Sequence, residues 1–216
     1  MSGKFHFELE RQKARVLEMG ILARDMLCRS VDALVKLDEE MAETIRERKD
    51  DIKDFDYTIE RETLQLIALF QPIAVDMRTI ACILKLITYL ARIGRYGKEI
   101  CDLTKDLANQ THVKKLVSIP YMRQIVCSMI DDALEAFEKG DISKLGDFTD
   151  RDDIVDELEK SIFRECFTYM VEDSKTITQC VRYIMIARYL ERCGDHACKM
   201  AEKIHYMVTG EHIEVK

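Results

Sequence analysis

Residues 189–196 read YLERCGDH and residues 89–96 read YLARIGRY, the same octet written twice a hundred residues apart. The later copy carries two acids four apart, Glu191 and Asp195, where the earlier has Ala91 and Arg95. Two further matches occur in the same order. RKDDIKD (48–54) aligns with DRDDIVD (150–156) at an offset of 102, and ALVKLD (33–38) aligns with AFEKGD (136–141) at 103. Offsets that fall in steps of one or two are what small insertions between helices produce. The chain therefore reads as a tandem duplication of units of about a hundred residues, an ordinary domain size. Residues 1–110 form the first unit, with its acid motif partly lost, and residues 117–212 the second, with the motif retained.

Composition sets the fold class. The 216 residues include only 2 Pro, 8 Gly and no Trp. Scarce helix breakers amid abundant Leu, Ile, Ala, Glu, Lys and Arg predict an all-α protein. Apolar spacing of three and four places long helices over about 8–36, 50–70, 75–109, 121–139, 150–171 and 174–208, with a short one after Asp38. Pro72 ends the second long helix because the residue before proline is disfavoured in the α conformation. Gly140 and Gly210 stand where helices stop, and Ser174 where one starts. Short connections make sequential helices antiparallel neighbours. The expected architecture is two antiparallel three-helix bundles in tandem, joined by QTHVKKLVSIP (110–120).

Several function classes fall away. The formal charge of -7 and the lack of a basic stripe with interleaved aromatics exclude a general nucleic-acid binder. The longest apolar run, Ile80 to Leu84, is far short of the roughly 20 residues a spanning helix needs. MSGKFHFELERQK at the N-terminus has no secretory h-region. Eight cysteines (28, 82, 101, 127, 166, 180, 193, 198) form no CxxC; they read as small buried hydrophobes in a reducing cytosol, not as a disulfide framework or a zinc site. No phosphate-cradling glycine loop, nucleophile elbow or Ser/His/Asp order occurs, so nothing points to an enzyme.

The chemistry lies in the paired acids. Asp152/Asp156 and Glu191/Asp195 each fall at i and i+4, on one helix face with Cβ atoms roughly 5–6 Å apart. Like charges so placed repel. Two such pairs on adjacent helices cost more, unless a hard, oxygen-seeking cation sits between them. A single DxxxD reads more simply as a solvated face. The matched positions in a repeat and the mid-helix Gly94 and Gly194, each costing about 1 kcal/mol relative to Ala, point instead to close approach of a helix or a ligand. In the first unit Asp50 and Asp54 align with Asp152 and Asp156, and Arg95 replaces Asp195. A guanidinium there is expected to pair with Asp50 or Asp54 in place of a metal. His196 points about 100° away from Asp195 on the helix wheel and is at best peripheral. Glu202 and His205 make one ExxH, but a di-iron bundle needs two such motifs plus two more Glu. Magnesium, manganese, calcium and iron all suit carboxylate oxygen.

The stretches FTYMVEDSKTI (167–177) and ARYLERCGDHACKMAEKIHYMVTGEH (187–212) closely resemble the PhoU family of phosphate-uptake regulators, as does LFQPIAVDMRTIACILKLITYLARIGRYGKEI (69–100). The resemblance runs from about residue 8 to 212. It implies tandem three-helix bundles with surface metal sites built from E(D)xxxD motifs. Here those are Asp152/Asp156 with Glu191/Asp195, and Asp50/Asp54 with the altered Ala91/Arg95. Iron, often multinuclear, is the implied metal, with zinc, magnesium or manganese as alternatives. Lys199 departs from the family's usual Asn. The resemblance further implies a cytoplasmic homodimeric adaptor. It would restrain phosphate import and phosphate-starvation signalling by contacting the phosphate transporter's ATPase subunit and a sensor histidine kinase. A PhoU-like regulator of another transporter, a carboxylate metalloenzyme and a metal-free interaction module are the competing readings.

Overall fold

Turn residues divide the chain where the sequence places them. In the computed structural model, which describes residues 2–215, seven α-helices follow one another: α1 Ser2–Lys36, α2 Glu39–Glu47, α3 Lys49–Phe70, α4 Val75–Leu107, α5 Ser118–Lys139, α6 Phe148–Glu172 and α7 Ile177–Thr209. Single 3-10 turns at Ser143–Leu145 and Ser174–Thr176 precede α6 and α7. Asp38 caps α2, its carboxylate accepting the Met41 N–H at 2.8 Å, which satisfies one of the orphan donors of the first turn. Gly140 and Gly210 close α5 and α7 at φ of 68° and 80°, the left-handed conformation that glycine adopts without steric cost. The start of α7 departs from expectation. Ser174 opens a 3-10 turn that Asp173 caps, accepting the Lys175 N–H at 2.9 Å, and Thr176 stands at the N-cap of α7 without a side-chain cap bond.

Helices α1, α3 and α4 form one antiparallel three-helix bundle and α5, α6 and α7 the other. The two bundles share one continuous apolar core. α1 packs on α5 and α4 packs on α7, so four helices form the centre, while α3 and α6 flank it on the outside. Across the joint, Arg24 pairs with Asp131 at 2.7 Å and Arg123 with Asp32 at 3.0 Å. Between α4 and α7, His196 lies against Tyr89 and Tyr96, with ring centroids 5.8 and 6.1 Å away. The connection 108–117 is pinned by a polar knot. His112 Nδ1 lies 2.7 Å from the Tyr183 hydroxyl, which donates to Gln179 Oε1 at 2.7 Å, and the Val113 N–H donates to the same oxygen. Cys28 on α1 and Cys127 on α5 are disulfide-bonded across the joint. This corrects the expectation that all eight cysteines are free: six are free and buried, and the bonded two meet only because the bundles pack together.

Burial sets the repeat register, and it differs from the one the matching letters suggest. Met19/Met122, Met26/Met129, Ala42/Leu145, Ile45/Phe148, Ile52/Val155, Ile59/Ile162 and Thr63/Cys166 are buried pairs, all 103 apart. In the last helix of each unit, Leu86/Ile186, Leu90/Leu190, Ile93/Cys193 and Gly94/Gly194 are buried pairs 100 apart. The offset therefore changes once, by three residues, around the α3–α4 connection. The DDI match is one residue out of register, and one residue turns a helix by about 100°. The structural counterparts of Asp152 and Asp156 are Lys49 and Lys53, not Asp50 and Asp54.

Close backbone approach holds α1 against α4. A Cβ added at Gly97 would sit 2.9 Å from the Met26 carbonyl carbon and 3.0 Å from the Leu27 nitrogen, both backbone atoms. A Cβ at Gly20 would instead meet the tip of the Leu134 side chain, at 2.4 Å. A leucine tip can rotate away and a packed helix backbone cannot, so the two glycines should differ in tolerance. Gly97→Ala is expected to lower stability by about 1–3 kcal/mol through overpacking, outweighing the roughly 1 kcal/mol of helix propensity that alanine gains. Gly20→Ala should be near neutral. Denaturant unfolding of both variants checks this, and equal stabilities would contradict it.

Candidate metal centre

α6 presents Asp152, Asp156 and Glu159 at i, i+4 and i+7, and α7 presents Glu191 and Asp195 alongside them. Val155, Ile162 and Cys166 bury the neighbouring face of α6, roughly 60° round the helix from the acids, and so hold this stripe at the rim of the α6–α7 contact. The approach of α6 to α7 is set at Gly194. A Cβ there would lie 3.2 Å from Asp152 Oδ1 and 3.6 Å from Val155 Cγ1, so the missing side chain makes room for a carboxylate as well as for the helix. At Gly94 the equivalent space is filled by Ile52 Cγ1, at 3.0 Å. Both mid-helix glycines thus serve helix approach, and only the second borders an acid.

These carboxylates are crowded and poorly compensated. Glu191 is 9% exposed, and its Oε2 accepts no hydrogen bond. Burial, then the Asp195 charge, pushes the Glu191 carboxyl up to about 7, against the pull of Arg188 and Arg192. Burial followed by the charges of Asp195 and Asp156 raises Asp152 to about 6, although the Cys198 thiol hydrogen-bonds to it. Asp156 is also raised, chiefly by burial. Two arginines supply the positive charge. Arg188 reaches Glu191 at 3.0 Å and Glu159 at 3.3 Å, while Arg192 reaches Asp195 at 3.0 Å and Glu191 at 3.7 Å. Arg188 and Glu159 escaped the sequence reading. Glu159 was visible as the next member of the i, i+4, i+7 series; Arg188 was visible as the i−3 neighbour of Glu191.

With the arginines in place, no three His, Cys, Asp or Glu side chains among the described residues converge as a ligand set. The donor set is nonetheless of the kind a hard cation takes: carboxylate oxygens only, one of them, Glu191 Oε2, buried without a hydrogen bond. Asp152, Asp156, Glu191 and Asp195 are oxygen donors of that kind, with Glu191 and Asp195 paired to Arg188 and Arg192.

The other sequence candidates are placed elsewhere. Asp50 lines a cleft between α3 and α4 together with Arg95, whereas Asp54 lines a separate cleft shared with α1. The expected ion pair between Arg95 and these acids does not form; the Arg95 guanidinium lies over the Tyr96 ring, 5.2 Å from its centroid. His196 is stacked in the α4–α7 joint, and burial, reinforced by Arg92, lowers it to about 4. The ExxH does not assemble: buried Glu202 accepts from Lys199 Nζ at 2.7 Å and from the Val215 N–H at 3.2 Å, while His205 contacts the Glu211 carbonyl.

Comparison with known proteins agrees with the duplicated architecture. The family model described as "PhoU domain" matches twice, over residues 16–104 and 119–204, one match in each bundle. A Clostridium acetobutylicum protein called phosphate-specific transport system accessory protein PhoU homolog is 35% identical over 98% of this chain and 97% of its own length. The Escherichia coli K12 phosphate-specific transport system accessory protein PhoU is 32% identical over 98% of this chain and 88% of its own. The crystal structure of PhoU from Pseudomonas aeruginosa superposes with a TM-score of 0.92 at 32% identity, covering 96% of this chain and all of that one.

Raised carboxyl pKa values carry a stability consequence. The folded state holds protons on Glu191 and Asp152 more tightly than the unfolded chain does, so their contribution is full at low pH. It is lost as pH rises from the unfolded values of 4.5 and 3.8 through about 7 and about 6. His196 acts in the opposite sense, its contribution lost as pH falls from 6.5 towards about 4. The Glu191→Gln variant isolates the first effect. In chelated protein, its melting temperature relative to the parent should climb as pH is raised from about 5 to about 7.5. A gap that stays constant across that range would show Glu191 to be unperturbed.

Proposed function

The chain belongs to the PhoU family, and on that premise we propose that it is a metal-binding adaptor acting in phosphate transport, restraining the transporter's ATPase subunit and a sensor histidine kinase. The observation that carries this reading is the double family match, one per bundle, coinciding with the crowded acids of the second bundle. No helix among the described residues is long and apolar enough to cross a membrane.

Asp152, Asp156, Glu191 and Asp195 would hold the metal, iron by family likeness. A bound cation supplies positive charge at carboxylates that otherwise repel. What this chain's residues do is set the competition for that place. Arg188 and Arg192 occupy Glu191 and Asp195 in its absence, and both guanidinium side chains are nearly half exposed, free to turn to solvent. The acids thus have two alternative cationic partners, one of them belonging to the protein surface, which is the arrangement a cation-responsive docking face requires.

A surface for the partner lies along the same outer helix. Phe163, Phe167 and Val171 recur at i, i+4 and i+8 on α6 and are 54%, 58% and 72% exposed. Large aromatics left in water along one helical stripe are the usual anchors of a protein contact. A homodimer using this stripe is the alternative occupant.

Two measurements test the reading. Elemental analysis of protein purified without chelator should find bound metal, and the Glu191→Ala, Asp195→Ala double variant should bind it about tenfold or more weakly; undiminished metal content would place the ion elsewhere. Capture of the transporter's ATPase subunit should be lost with Phe163→Ser, Phe167→Ser while helicity is kept. Retained capture would remove this face from the adaptor mechanism.

A further inference from the structure

The corrected repeat register shows that the first bundle inverts the charge of the second. Where the second has Asp152, Asp156, Glu191 and Asp195, the first has Lys49, Lys53, Ala91 and Arg95. Three carboxylates have become three cations and the fourth an alanine. The positions remain together, lining one cleft of about 400 Å³ between α3 and α4.

The charges in this cleft are unequally spent. Lys98 is bound by Asp102 at 2.5 Å and lies 3.5 Å from Glu99. Lys49, Lys53 and Arg95, all exposed, make no ion pair among the described residues. Lys49 and Lys53 stand at i and i+4, where like charges repel, and Arg95 lies across from them on α4. The three acids in the cleft leave these cations unpaired as well: Asp50 and Asp56 make no ion pair with them, and Glu99 lies beside Lys98. Burial, helped by Glu60, raises the pKa of Asp56. In a chain whose formal charge is -7, where cations on neighbouring surfaces are mostly tied to carboxylates, three free ones in one concavity form a local positive field. One guanidinium and two ammonium groups lining a single cleft supply the donors a tetrahedral oxyanion takes, N–H groups from Arg and point charges from Lys.

We propose that the α3–α4 cleft of the first bundle binds a phosphate-type oxyanion through Lys49, Lys53 and Arg95, as the anionic counterpart of the acidic cluster in the second bundle. This site stands on the cleft's own charges and does not depend on the metal assignment. Orthophosphate and the polyphosphate of a nucleotide share the chemistry, and the test separates them.

Equilibrium dialysis of the full chain, chelated and at low salt, with orthophosphate in one arm and ATP in the other, is the experiment. Saturable uptake of about one equivalent in at least one arm is expected, weakening as salt rises. The Lys49→Gln, Arg95→Gln variant should bind about tenfold or more weakly, with its melting temperature unchanged because both side chains are exposed. Glu191→Gln, Asp195→Asn should bind the anion as the parent does, so failure of the metal reading leaves this result intact. Uptake of orthophosphate identifies a single phosphate as the occupant, and uptake of ATP alone a polyphosphate. No saturable binding of either at millimolar concentration, or binding indifferent to Lys49→Gln, Arg95→Gln, overturns the site.

Discussion

Close packing of an outer helix onto an inner one, at a glycine in the middle of the inner helix, is the constraint from which the rest of the molecule follows. At Gly194 and Gly94 the absence of a side chain lets α6 and α3 lie close against α7 and α4. Both glycines cost helix stability, roughly 1 kcal/mol each, and both are repaid by apolar contact, with Val155 in one bundle and Ile52 in the other. That contact sets the rotation of the outer helices about their axes. Side chains one position either side of the buried stripe are then fixed at the rim of the groove, where two helices bring their charges together.

Each bundle meets the same electrostatic problem at that rim, with opposite sign. In the second, burial and then the crowding of carboxylates from two helices raise Glu191 and Asp152 well above the usual range, and Arg188 and Arg192 compensate Glu191 in part. In the first, lysines and an arginine occupy the equivalent positions without carboxylate partners. A duplicated scaffold thus presents one acidic and one basic groove on the same architecture, which fits a protein whose relatives are named for phosphate transport. Fold and charge pattern are separable here: the core pairs keep their apolar character across the repeat while the rim changes sign.

Much of this was legible in the residues. Breaker scarcity and three-to-four spacing placed the six long helices, all but the start of α1, which begins at Ser2 and not near Glu8, to within a few residues, and Gly140, Gly210 and, for the short α2, Asp38 marked helix ends by local chemistry that needs no tertiary context. The acid pairs of the second bundle were legible too, because i and i+4 share a face in any α-helix. The misreadings have a common origin. DDI matched DDI at one residue from the true register because identical letters were weighed above the apolar stripe, and Asp50 and Asp54 were carried to a face they do not share with Asp152 and Asp156. Arg95 was assigned a carboxylate and stacks on Tyr96 instead. Ser174 was taken for the cap of α7 and instead opens a 3-10 turn that Asp173 caps.

By itself the sequence determined the helices, their order, the duplication and the identity of the crowded acids, since all of these follow from periodicity and local bonding along one chain. Only the tertiary structure decided which faces meet: the four-helix centre shared by the bundles, the Cys28–Cys127 bond across 99 residues, the polar knot of His112, Tyr183 and Gln179, and the register that pairs Lys49 with Asp152. Those depend on how far apart two helices can pack and on which side chains fill the space between them. Contact distance and volume are properties of the assembled core, and no window of sequence contains them.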